Sequence, residues 1–172
     1  MFKLITKTIA TVAIVSVALF GSANAKTLKI ETHFTASSPN GEVAAQFAKN
    51  VEMFSGGSLK VQMFYSSSVT GKSAEVFNSA QTGIIDCDMT GAGYQTGKNA
   101  AFQFAGDVMG GYDNPYQQYD FLKFPGAQDA VDALYNKYGM TLIGWWIPGH
   151  ESLISSKPIP DVASIKDFKF RS

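Results

Sequence analysis

The sequence holds one cysteine, Cys87, in 172 residues. A lone thiol forms no intramolecular disulfide, so the fold must stand on its core. Cys87 lies in Ile84-Ile85-Asp86-Cys87-Asp88-Met89, which reads as a buried strand. No base or second ligand stands beside it, so it is taken as a small core residue rather than a nucleophile or metal ligand. Histidine is nearly as scarce. His33 and His150 are the two present, and neither belongs to an HExxH motif or adjoins a recognised nucleophile. Gly91-Ala92-Gly93 lacks the third glycine of a dinucleotide fingerprint, and Gly71-Lys72-Ser73 lacks the upstream glycine of a P-loop. Excess charge is absent too: 14 basic and 14 acidic residues are interspersed, for a net charge of zero. Nothing in that balance points to a nucleic-acid or anionic-lipid surface. Past residue 25 no apolar run approaches the about 20 residues of a membrane span, so the mature chain is expected not to insert in a bilayer.

What is present begins with an export signal. Lys3 and Lys7 precede an apolar, small-residue run over positions 9–20, and Ala23-Asn24-Ala25 is a small-x-small cleavage site. This is the three-part design of a secretory signal peptide over residues 1–25, cleaved after Ala25, with a periplasmic product expected. Aromatic residues are plentiful, with 13 Phe and 7 Tyr; they suit a well-formed core or an aromatic-lined pocket.

The mature chain reads as alternating strands and helices. Residues 27–34 alternate, with Leu28, Ile30 and Thr32 on one face and Lys29, Glu31 and His33 on the other. Ser38-Pro39 marks a helix start, with Val43, Phe47, Val51 and Phe54 at helical spacing and Gly56-Gly57 as the stop. A strand over 59–65, a Ser-rich loop and a helix over 73–82 with stripe Val76, Phe77 and Ala80 follow. Then comes a strand over 84–90. Strand-helix-strand-helix-strand predicts an α/β fold with parallel strands and crossover helices. Beyond a Gly-rich, aromatic stretch, helices are expected over 115–123 and 127–138, the second burying Ala130, Val131, Leu134, Tyr135 and Tyr138. Strands are expected over 140–147, 151–155 and 169–171. The last of these ends the sequence without a closing turn, which suggests a fragment.

Ligands of open parallel sheets bind beyond the carboxyl ends of the strands. That directs attention to Thr32 and His33, to the 66–71 loop, to 91–94 and to 148–151, with Tyr94 supplying a rigid wall and a phenol. His33 reads most simply as a satisfied or solvent-facing residue. His150, beside Glu151 at a strand break, is as readily a ligand contact as a surface residue. Arg171 in a strand-like run offers a planar fork suited to a carboxylate. From pattern alone, a surface arginine paired with an acid is the simpler reading.

Thr27-Leu28-Lys29-Ile30, the run from Phe47 to Glu52, the run from Ser55 to Val61 and the run from Ala80 to Asp86 stand in a telling order. Ser156-Lys157-Pro158-Ile159 and the run from Ile165 to Arg171 complete it. Together they make the mature chain resemble the periplasmic receptors of TRAP transporters, the DctP-type solute-binding proteins. The nearest subgroup is the 2-oxo-acid and related monocarboxylate receptors.

The resemblance implies a two-lobed, type II-like periplasmic binding protein that captures a small organic acid for the TRAP permease subunits of the membrane. It implies no catalysis and no cofactor of its own, beyond a ligand-bridging cation held by residues outside this sequence. It places most of lobe I at 26–146 and the start of lobe II at 147–172. It makes Arg171 the carboxylate clamp and Tyr94, Glu151 and His150 further pocket residues. A carboxylate at Glu151 repels a bound acid unless a cation or ligand hydroxyl intervenes, which favours a hydroxy acid, a metal-bridged acid or a polyol over a bare 2-oxo acid. Glu75 matches a position near the cleft and reads more simply as a helix-surface or hinge contact. His150 replaces the family's proline, and family members are about twice this length, so this chain alone is expected to bind ligand poorly or not at all. Two other readings stay open: a secreted α/β enzyme using His150 and Glu151 as an acid-base pair, and a partial gene product that binds nothing.

Overall fold

The computed structural model describes residues 25–106, 108, 111–147, 154–166 and 168. The export segment, His150, Glu151 and Arg171 lie outside the described residues, as do most of the expected strand over 151–155 and all of that over 169–171.

The first strand, β1 (Lys26–Thr32), begins directly after the expected cleavage point. It is central in a three-stranded sheet of order β2-β1-β3, between β2 (Leu59–Phe64) and β3 (Cys87–Met89). Both pairings are parallel; Ile30 stands opposite Met63 on one side and Cys87 on the other. The alternation of β1 holds over residues 28–30, with Lys29 exposed, and is lost at its carboxyl end. Ile30, Glu31 and Thr32 are all buried, because a central parallel strand is covered on both faces.

Helix α1 (Pro39–Phe54) starts where Ser38-Pro39 predicts, and Ser38 Oγ accepts the Gly41 amide at 3.0 Å. Gly56 and Gly57 end it with φ of 60° and 80°, a conformation that glycine adopts without steric cost. The expected stripe is only half right. Gly41 and Ala44 are buried, Phe47, Ala48 and Val51 partly so, while Val43 and Phe54 are exposed. The helix lies close against the chain at its start, where a Cβ on Gly41 would come within 2.0 Å of the Thr35 carbonyl oxygen. That approach selects the small-residue face and turns Val43 outward.

The expected second helix is a 3-10 turn over Ser73–Glu75 continuing into α2 (Val76–Gln81), with Val76 and Phe77 buried. The third strand is three residues long rather than seven. The amides of Ile84 and Ile85 are taken by the Ser79 carbonyl, which closes α2 and keeps both residues out of the ladder.

Helices α3 (Pro115–Lys123) and α4 (Pro125–Asn136) form near their expected positions and pack on each other. Leu134 is buried and Val131, Tyr135 and Tyr138 pack beside it, but Ala130 is exposed. The main core joins Phe77 of α2, Ala92, Phe102 and Ala105 from 3-10 turns after β3, and Leu134 of α4.

The expected strand over 140–147 is not one. The segment is irregular, anchored by Met140 N donating to the Tyr135 carbonyl and Leu142 N donating to Asp132 Oδ1. An apolar run of strand composition becomes a strand only when a neighbour takes its amides and carbonyls. Among the described residues none pairs with it.

Candidate functional site

The sheet delivers three segments to one place at the carboxyl ends of its strands. His33 and Phe34 follow β1, Tyr94 lies in the 3-10 turn after β3 (Ala92–Gln95), and Trp146 closes the irregular run after α4. The His33 ring lies 3.8 Å from that of Phe34, centroid to centroid, and meets Tyr94 edge-on at 5.3 Å. Phe34 stacks on Trp146 at 4.7 Å with the planes 9° apart.

A fourth segment, the 66–70 loop, is tied to the same end. Ser66 N donates to the Phe34 carbonyl at 2.9 Å and Ser67 N to the Thr32 carbonyl at 3.1 Å. Glu31 Oε1 accepts the Val69 amide at 2.7 Å.

One polar atom here, His33 Nδ1, is buried without a hydrogen-bond partner. A buried polar group left unpaired costs about 1–3 kcal/mol, so such atoms concentrate where a ligand or water completes them. Burial lowers the His33 pKa, so the imidazole is neutral at neutral pH and offers one donor and one acceptor. The aromatic walls and the neutral imidazole suit a small, partly polar molecule. Cys87 is no nucleophile: burial first, then the charges of Asp86 and Asp88, raise its pKa and keep it a thiol.

Of the four residues singled out in the sequence, Tyr94 is at this end of the sheet and 46% exposed, with an edge on His33. Arg171, Glu151 and His150 lie outside the described residues. Glu75 is exposed and accepts Asn78 Nδ2 at 2.7 Å, a helix-surface role. Phe34 and the tryptophans were not singled out. Their signal is that the two tryptophans of the sequence stand side by side just before Pro148, where an amphipathic ring is placed at an element's end.

An apolar depression of about 310 Å³ is lined by Pro115, Tyr116, Tyr119 and Ile147, the last adjoining Trp146, and none of the four carries a charge to hold an acid. No group of three or more His, Cys, Asp or Glu suited to a metal occurs among the described residues, so no cation site is assigned to them.

The fold has known counterparts. A TRAP periplasmic solute-binding protein from Rhodobacter sphaeroides, in its apo open form, is 25% identical with a TM-score of 0.64, over 69% of this chain and 37% of that one. A second, from Pseudoalteromonas atlantica with bound sodium and pyruvate, is 19% identical with a TM-score of 0.61, over 67% of this chain and 35% of that one. A third, a Bordetella pertussis extracytoplasmic solute receptor binding pyroglutamic acid, is 21% identical with a TM-score of 0.58, over 69% and 38%. The match thus spans little more than a third of the length of each. No curated protein sequence matches the chain. The family profile described as bacterial extracellular solute-binding protein, family 7 (DctP), matches residues 30–172, and the chain belongs to that family.

Proposed function

We propose that this chain captures a small organic monocarboxylate, of the 2-oxo or hydroxy acid class, in the periplasm and passes it to the membrane permease of a TRAP-type transporter. The gathering of His33, Phe34, Tyr94 and Trp146 at the carboxyl ends of parallel strands carries this reading. Its support is that solved proteins of similar fold hold pyruvate or pyroglutamic acid.

In this reading residues 1–25 are the export signal, 26–146 are most of lobe I, and 147–172 open lobe II. Arg171 grips the ligand carboxylate with two parallel hydrogen bonds. Glu151 and His150 bear on its second polar group, and Tyr94 walls the pocket. The function is binding, with no bond made or broken.

Calorimetry with Arg171→Lys tests the clamp. Lysine keeps the charge and loses the fork, so affinity for an acid falls about tenfold or more, a loss of about 1.4 kcal/mol. Equal affinity in the variant contradicts the clamp. Glu151→Gln, assayed for turnover of ester or glycosidic substrates, separates binding from catalysis. The reading expects no turnover in either form.

A further inference from the structure

We propose that buried Glu31 is the positioning residue for the 66–70 loop, and that Asp88, its neighbour on the next strand, sets the strength of that hold by gaining or losing a proton. The two are register partners on adjacent parallel strands, so their side chains leave the same face of the sheet. Glu31 is fully buried. Its Oε1 takes the Val69 amide at 2.7 Å and the Thr70 amide at 3.4 Å, while its Oε2 has no partner. Asp88 Oδ1 has none either.

No counter-charge answers the pair: among the described residues the one ion pair is Lys60 with Glu52. Asp88 is half-buried with Oδ1 enclosed, beside a second carboxylate and without a cation, so its ionisation is costly and a proton on Asp88 is the simplest neutraliser.

The groups around Asp88 agree. Burial, partly offset by the Thr90 hydroxyl and amide and reinforced by the charge of Glu31, pushes its carboxyl up to about 6. From α4, Tyr135 is pushed up to about 12 by burial and then by Asp88, so it stays a neutral phenol. The Cys87 thiol is raised by burial, Asp86 and Asp88. Burial alone shifts His33, so it supplies no counter-charge.

The loop needs its tether. Ser66 and Ser67 adopt φ of 56° and 50°, a left-handed conformation that side-chain-bearing residues keep only when held from outside. When Asp88 loses its proton, a second negative charge arrives beside Glu31, and the loop that Glu31 holds opens more readily. Only the consequence for a ligand rests on the function proposed above; the proton and the tether are testable without one.

Amide hydrogen exchange at Val69 and Thr70, corrected for intrinsic rates, is measured at pH 5 and pH 8. Protection in the natural chain is expected to fall about tenfold between them. Asp88→Asn keeps protection at both pH values, and Glu31→Gln loses it at both. Flat protection in the natural chain, or an equal fall in Asp88→Asn, overturns the proposal. Should either variant fail to fold, carboxyl-carbon NMR of the natural chain decides. Titration of the Asp88 carboxyl near pH 6 supports the proposal, and its titration near 4 overturns it. Protection restored at pH 8 by sodium or calcium also overturns it, in favour of a cation site.

Discussion

Phe77 is fully buried, with the rings of Phe102, Tyr135 and Tyr138 at 5.8, 6.0 and 5.9 Å. Truncation leaves a cavity that these stiff rings fill poorly, so Phe77→Ala is expected to cost about 3–5 kcal/mol in urea unfolding; a loss under about 1 kcal/mol contradicts its central place. Asp88 gives a second test at this scale. Its pKa is about 6 in the fold against 3.8 ordinarily, so the folded state binds the proton better. The stability this contributes is full below about pH 3.8 and is lost as pH rises through 6, about 3 kcal/mol in all. Asp88→Asn should flatten that fall between pH 4 and 7 in denaturant titrations. His33 has the opposite sense. Its pKa is lowered, so its contribution is present above pH 6.5 and lost as pH falls through the folded value; NMR titration of the ring should show an inflection below 6.5. Phe77 was legible in the sequence because it sits in a helical stripe. Phe102 was not, because a 3-10 turn in an aperiodic stretch carries it into the core. Glu31 was hidden for another reason: alternation gives the face of a side chain, not whether that face is solvated.

Helix boundaries were read well where a cap sets them. Ser38, Pro39 and the Gly56-Gly57 pair act locally, so neighbouring sequence suffices to place α1. Ser38→Ala should cost about 1 kcal/mol by removing the acceptor of the Gly41 amide. Gly41→Ala should cost more, about 1–3 kcal/mol, because the new methyl meets the Thr35 carbonyl at 2.0 Å and the helix start must move. A neutral Gly41→Ala in thermal or urea unfolding contradicts the close approach. The stripe of α1 was misread for the same reason, since the tight contact favours Gly41 and Ala44 over Val43. Strands fared worse than helices. A strand is defined by its partner, so composition could suggest one over 140–147 but could not supply a neighbour, and the short β3 was set by the carbonyl of Ser79.

At the scale of the molecule, strands alternating with helices pointed to the parallel order, and the parallel order points to the end where a ligand is proposed. Arg171, Glu151 and His150 took their roles from the resemblance rather than from spacing. β1 starts at Lys26, whose amide donates to the Ser58 carbonyl. N-terminal sequencing of the periplasmic product should read Lys26 first; retention of the leader contradicts cleavage after Ala25. The central claim is that a small carboxylate binds at the strand ends. The direct test is a titration of the isotope-labelled mature chain with pyruvate and, separately, with its neutral amide, followed by amide NMR. The account predicts shifts with pyruvate at residues 32–34, 66–70, 90–94 and 145–146, none of that pattern with the amide, and affinity of roughly millimolar or weaker for this chain alone. Shifts clustered on α3 and α4, or equal shifts with the amide, would contradict it.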